Sequence, residues 1–323
     1  MKALRIEKPF KIFIDDYPTP ELMNGYTLLK VLACGLCGTD LKIYRGETEA
    51  NYPIVPGHEI VGEVIKSDMY TPGTKVVVDP NAPCGACDSC RQGRPHLCKS
   101  LEATGVTRDG GFAEFVLVKN SQVYPLGNVP VNKAVFAEPL SCVLHGLDLV
   151  GNVHVSDILV VGGGPIGSIF AILIDRFSVG KLFLIEIEEK RREFLKDVIL
   201  KNSRAEVIEY PPEDKFDVVV EASGSVKGLE SAFEHLKPGG KLLIFGVPSH
   251  RDTLNFRPFD IYKHEYTIMG SYVNPLTMSK AVKILQDSSI IFENLVTDVL
   301  DLQELIGYIE GHRTPLMKAI YAN

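Results

Sequence analysis

The chain has 323 residues, 45% hydrophobic and 23% charged, a balance that suits a globular protein of one or two domains and excludes wholesale disorder or a fibre. Its formal net charge of −7 argues against a nucleic-acid or anionic-membrane surface. The opening Met1-Lys2-Ala3-Leu4-Arg5-Ile6-Glu7-Lys8 carries charges where a secretory leader would be apolar. The uncharged run Ile158–Ile174 has 17 residues and is broken by Gly162-Gly163-Gly164-Pro165, too short and irregular for a membrane span. The expectation is a cytoplasmic protein.

In chain order, residues 1 to about 133 offer short β-branched runs between glycines and prolines: Leu28–Leu32, Ile60–Ile65, Lys75–Val78 and Phe115–Val118. These predict a β-rich, partly barrel-like domain. From about residue 154 the rhythm changes. Strand-like runs at Asp157–Val161, Lys181–Ile185, Phe216–Val220 and Lys241–Phe245 alternate with helix-length amphipathic segments such as Glu188–Leu200 and Ser225–Leu236. That alternation predicts βαβ units and a doubly wound parallel sheet over 134–269, with 270–323 returning to the first domain.

Four of the seven cysteines, Cys84, Cys87, Cys90 and Cys98, fall within one short loop-rich stretch. Without a secretory signal such spacing favours a metal over disulfides, and four thiolates close a tetrahedron around zinc with no open position, as in a structural site. His96 lies inside this lobe and reads as a surface residue. Three further fragments, Cys37-Gly38-Thr39-Asp40, Gly57-His58-Glu59 and Ala137-Glu138-Pro139-Leu140, can together offer a thiolate, an imidazole and a carboxylate to a second zinc. Three protein ligands leave a fourth position open, the catalytic arrangement. Cys34 and Cys142 read as small buried thiols. His154, His235, His250, His264 and His312 form no constellation.

Where the parallel sheet begins, Gly162, Gly164 and Gly167 form Gly-x-Gly-x-x-Gly with Pro165 and Ile166 between them. The first glycine permits a tight turn, the second lets backbone approach a pyrophosphate, and the third allows close helix–strand packing. Glu186 follows 19 residues after Gly167 at the end of the next strand, where an acid binds the adenosine ribose hydroxyls. The carboxylate favours NAD over NADP.

Taken together, the four-cysteine lobe, Cys-Gly-Thr-Asp, Gly-His-Glu-x-x-Gly at 57–62 and the later dinucleotide fingerprint resemble the zinc-dependent medium-chain alcohol dehydrogenase family over nearly the whole chain. Phe136-Ala137-Glu138-Pro139-Leu140-Ser141 is similar to the polyol (sorbitol, xylitol) branch, with threonine dehydrogenase close by. The resemblance implies a Rossmann domain beside a GroES-like catalytic domain, and two zinc ions per chain. It implies Cys37 and His58 as catalytic-zinc ligands, with Glu59 or Glu138 as the third. It implies that Asp40 orients His58, and that Thr39 takes the proton of a substrate hydroxyl while hydride passes to the nicotinamide. Arg191 falls at the adenine end, and Ser223, Gly246, Val247, Ser271 and Tyr272 fall at strand ends where cofactor contacts belong. Lys42 stands where many relatives end a proton relay in histidine. The implied substrate is a pentitol or hexitol, oxidised to a ketose, its spare hydroxyls meeting Glu138, Tyr272 or Asn274. L-threonine or a sugar-phosphate alcohol is the alternative, and a non-catalytic dinucleotide-binding protein the distant one. A homodimer or homotetramer is expected.

Overall fold

The computed structural model describes residues 1–249 and 251–323, so His250 lies outside the described residues. Two compact units emerge: Met1–Ser141 with Asn274–Asn323, and Cys142–Val273. The first division falls inside the helix Ala137–Val150, where the composition shift pointed to 133/134, and the second after Val273, where it pointed to 269/270. Among the described residues no helix is long and apolar enough to cross a membrane.

In the first unit the sequence's β-branched runs form the strands Tyr26–Gly35, Glu59–Ser67, Lys75–Val78 and Phe115–Lys119. Tyr26–Gly35 pairs antiparallel with Glu59–Ser67 and also with Phe115–Lys119 and Lys318–Ala322, so the C-terminal strand lies inside the sheet. Val296–Leu300 pairs parallel with Lys318–Ala322. Leu4, Ile6, Leu29, Ile43, Ile60 and Phe112 fill the core of this unit. Each such side chain, fully buried, stabilises the fold by about 1.5–3 kcal/mol.

Two corners of that sheet carry chemistry. The chain leaves Tyr26–Gly35 directly into Cys37 and the helix Gly38–Arg45. This helix is short but well closed: Asp40 Oδ2 accepts from Cys37 N at 2.8 Å, and Gly46 ends it in the left-handed region at φ 70°. The turn before Glu59–Ser67 places Gly57 at φ 92°, packed so closely on Cys34 and Phe112 that a Cβ would meet both at 2.9 Å.

The second unit is a parallel sheet in the order Glu206–Ile208, Leu182–Ile185, Ile158–Val161, Phe216–Glu221, Leu236–Ile244, Thr267–Gly270. Ile158–Val161 pairs with Leu182–Ile185 on one side and Phe216–Glu221 on the other, which makes the gap beside it the topological switch point. Leu159, Val161, Phe183, Phe216, Val219 and Leu242 line the core on one face.

Two expected helices differ from the sequence reading. The segment expected as Glu188–Leu200 is α-helical only over Glu189–Phe194 and continues as one wide π turn, Leu195–Ile199. Ser225–Leu236 stops at Glu234, because Leu236 pairs with Phe216 as the first residue of the next strand. Tertiary pairing there overrides an amphipathic pattern.

Candidate active site and metal centres

The four thiols of Cys84, Cys87, Cys90 and Cys98 have their sulfurs within 4.8 Å of one another. Sulfurs around a tetrahedral zinc with Zn–S of about 2.3 Å stand about 3.8 Å apart, so this donor set fits the ion. Backbone amides already favour thiolate here: Cys84 N donates to Cys98 Sγ at 3.3 Å and Cys87 N to Cys84 Sγ at 3.4 Å. The amide of Cys90 is the main cause that brings the Cys87 thiol down to about 6. His96 is half-buried at the lobe, and burial lowers its pKa.

In the second group Cys37, His58 and Glu59 present a sulfur, a ring nitrogen and a carboxylate oxygen within 4.8 Å of one another. The strand end after Gly35 supplies Cys37, and the turn at Gly57 supplies the two residues opposite. Asp40 lies beneath, fully buried, accepting from Cys37 N at 2.8 Å and Gly57 N at 3.0 Å, with its Oδ1 3.7 Å from His58 Nδ1. Thr39 is half-buried, its Oγ1 3.7 Å from Cys37 Sγ. Burial pushes His58 toward its neutral form, yet the Cys37 thiolate and Asp40 outweigh that and hold its pKa well above the ordinary value. A pocket that gathers positive charge between a thiolate and an imidazole suits a divalent cation.

The structure adds a residue that the sequence did not single out. Lys318, 4% exposed, forms an ion pair with Glu59 Oε2. Burial works to lower its pKa, but Glu59, Cys37 and Glu138 raise it above the usual lysine value. Gly35 belongs to the same contact, since a Cβ there would come within 1.9 Å of Glu59 Oε2. Glu138 is also buried but is not a member of the Cys37–His58–Glu59 group. Asn274 does not face a substrate hydroxyl as expected. It is 1% exposed and its amide is spent inside the unit: Nδ2 donates to Ser141 Oγ at 2.8 Å and to Asp79 Oδ1 at 3.3 Å, and Oδ1 accepts from Asn81 at 2.5 Å. Cys34 is fully buried, whereas Cys142 is only half-buried.

The glycine loop of the second unit explains its own sequence. Gly162 has φ 104°, and a Cβ on Gly167 would meet Gly162 O at 1.8 Å. Gly164 is different: its backbone is ordinary extended chain and a Cβ would meet nothing within 4 Å. Neither strain nor protein packing demands glycine there, and the position leaves open space beside the N-terminus of the helix Pro165–Phe177. Ile166 lies in its first turn. Glu186, 5% exposed, packs against Gly163 and accepts from Glu188 N at 2.8 Å and from Arg191 at 3.1 Å. Ser223 packs on Gly162, and Gly224 on Val247; Gly246 is so close to Gly224 N that a Cβ would sit 2.2 Å away. Ser271 N donates to Ile244 O at 3.1 Å, while Tyr272 and Val247 are exposed. The loop and its neighbours thus fit a dinucleotide across the switch point.

Known proteins resemble the chain over nearly its whole length. Residues 23–128 match the family model of the alcohol dehydrogenase GroES-like domain, and residues 165–287 that of the zinc-binding dehydrogenase. A D-altritol 5-dehydrogenase of Agrobacterium fabrum is 33% identical over 319 residues, 95% of each chain. The chain belongs to the zinc-binding alcohol dehydrogenase family. This dehydrogenase is also 32% identical to D-arabinitol dehydrogenase 1 of Uromyces fabae, over 94% of its own length and 91% of the relative's. A crystal structure of a zinc-binding dehydrogenase from Sinorhizobium meliloti bound to NADP superposes with a TM-score of 0.92 at 30% identity, covering 100% of this chain and 99% of that one. As a member of the family the chain is an oxidoreductase that works with zinc and a nicotinamide dinucleotide.

Proposed function

We propose that this dehydrogenase transfers hydride from a secondary hydroxyl of a pentitol or hexitol to NAD and so forms the matching ketose. The observation that carries the proposal is the convergence of Cys37, His58 and Glu59 within 4.8 Å, next to the buried charges of Lys318 and Glu138. Cys37 and His58 would hold the catalytic zinc with Glu59 or Glu138 as third ligand; Cys84, Cys87, Cys90 and Cys98 would hold the structural one. Bound zinc lowers the pKa of an alcohol hydroxyl and polarises a carbonyl.

Around it the chain's own groups do the rest. Asp40 fixes the Cys37 and Gly57 turns and faces His58 Nδ1, so both ligand-bearing corners are held by one carboxylate. Thr39 Oγ1 would accept a hydrogen bond from the substrate hydroxyl and relay its proton, giving up its own hydroxyl proton to water as it takes the substrate's. Gly162, Gly164, Pro165, Ile166 and Gly167 present backbone to the pyrophosphate, and Glu186 receives the ribose hydroxyls, which places a 2′-phosphate against a carboxylate. Arg191 steadies Glu186. Ser223, Gly246, Val247, Ser271 and Tyr272 form the rim on the nicotinamide side.

The polyol class rests on the two polyol-dehydrogenase relatives, each matched over 94–95% of this chain. A panel of C4–C6 polyols, L-threonine, polyol phosphates and short alkanols, assayed with NAD on zinc-loaded enzyme, tests the proposal. Polyols should lead by kcat/KM. Threonine turnover a hundredfold or so above every polyol would overturn the substrate class.

A further inference from the structure

Glu221 ends the central Phe216–Glu221 strand at the switch point and is fully buried. Its carbonyl serves the sheet, accepting from Phe245 N at 3.0 Å and Gly246 N at 2.8 Å. Its side chain serves the loop above. Oε1 accepts from Ser223 N at 2.7 Å, from Gly224 N at 2.9 Å and from the Ser223 hydroxyl. Ser223 Oγ in turn accepts from Ser225 N at 3.2 Å, and Ser225 Oγ caps the helix Val226–Glu234 through Gly228 N at 3.0 Å. The surrounding glycines are shaped around this carboxylate. A Cβ on Gly246 would come within 2.7 Å of Glu221 Oε2, and one on Gly228 within 3.0 Å of Oε1.

The loop so held is wedged on both sides. A Cβ on Gly162 would stand 2.8 Å from Ser223 N, and one on Gly246 2.2 Å from Gly224 N. Gly162 opens the phosphate loop, and Gly246 opens the rim after the next strand. A carboxylate oxygen with three donors therefore fixes the height of the segment that separates them. A buried carboxyl needs a reason, because burial opposes its charge and raises its pKa, against which these donors act.

We propose that Glu221 is a positioning residue for the dinucleotide: as an acceptor, it pins Ser223-Gly224 between the phosphate loop and the Gly246 rim so that both walls of the crevice keep their spacing. The proposal rests on the dinucleotide site assigned above. What matters is an acceptor atom at the right reach, so charge is dispensable and length is not.

Calorimetric titration of NADH into zinc-loaded wild type, Glu221→Ala, Glu221→Gln and Glu221→Asp tests this. Ala and Asp should weaken NADH at least about tenfold, the scale expected when buried donors lose their acceptor. Gln keeps Oε1 and should stay within about threefold of wild type. A merely structural carboxylate would lower Tm without this pattern of rescue. Wild-type affinity in Ala, or tight binding in Asp with weak binding in Gln, overturns the proposal while leaving the dinucleotide site standing. If Ala does not fold, the Gln and Asp variants decide by the same criteria. Absence of NADH binding in wild type overturns the dinucleotide reading and this one with it.

Discussion

Replacing Asp79 by asparagine should stabilise the protein at neutral pH and do nothing at mildly acid pH. Asp79 follows the Lys75–Val78 strand, and burial pushes its carboxyl up to about 6 from the usual 3.8. The amide of Asn81 and the side-chain amides of Asn274 and Asn81 oppose that rise, and all donate to Oδ1, at 3.0, 3.3 and 3.4 Å. A folded-state pKa above the unfolded one means that the folded state holds the proton more tightly. Its stabilising effect is complete below about pH 3.8 and is lost as pH rises through about 6. A shift of about two units corresponds to an upper limit of about 3 kcal/mol. Asparagine never ionises, and it retains Oδ1 for the same three donors. Asp79→Asn should therefore raise stability above pH 7 by about 1–3 kcal/mol, or several degrees in Tm, and leave it unchanged near pH 4. Paired calorimetric scans across pH 4–8 measure the difference between the two proteins, in which the titration of every other carboxylate cancels. Equal melting at pH 7.5, or a stabilisation that does not grow with pH, would refute the reasoning.

Other outcomes follow from the sites. Cys37→Ser or His58→Ala should abolish activity and remove about one zinc per chain by metal analysis while the fold persists; Cys87→Ser should lower Tm, because a structural zinc contributes folding energy directly. Glu186→Ser should cut the preference for NAD over NADP in kcat/KM by at least about tenfold, since a carboxylate about 4 Å from a 2′-phosphate costs up to about 4 kcal/mol at an effective dielectric near 20. An unchanged ratio would remove Glu186 from cofactor selection. Lys318→Met should destabilise by about 3–5 kcal/mol because it strands a buried carboxylate, and Lys318→Met with Glu59→Gln should recover part of the loss; denaturant unfolding in a double-mutant cycle reads the coupling.

Much of the fold was visible in local pattern because pattern and packing agree there. Tyr26–Gly35 and Ile158–Val161 are largely apolar runs that remain buried strands, and Gly162 and Gly167 meet backbone and packing requirements of that loop. The cysteines of the lobe are adjacent in sequence, so their meeting needs no distant information. Lys318 was not visible for the opposite reason. Its partner Glu59 lies far away in sequence, and the only local sign is a lysine opening the otherwise apolar strand Lys318–Ala322, four of whose residues are buried. Asn274 shows the same limit: an amide near a candidate site reads as a substrate contact until Asp79, Asn81 and Ser141 are seen to occupy it. Leu236 was misplaced because helix periodicity cannot register that Phe216 waits for it as a strand neighbour.

The position of Lys318–Ala322 inside the first sheet sets an order of assembly on the ribosome. Cys142–Val273 is contiguous and emerges whole, whereas Tyr26–Gly35 must wait for its neighbour Lys318–Ala322, made far downstream. At about 5–20 residues per second, the roughly 280 residues between them take on the order of 15–60 s to synthesise. For that interval the nascent sheet has an open edge, the kind of surface that invites pairing with another chain. Glu59 meanwhile lacks the cation that later neutralises it, although Cys37 and His58 are already present. Metal delivered to the nascent chain in that interval would therefore meet a carboxylate still without its lysine, and Lys318–Ala322 would later bring in a competing positive charge.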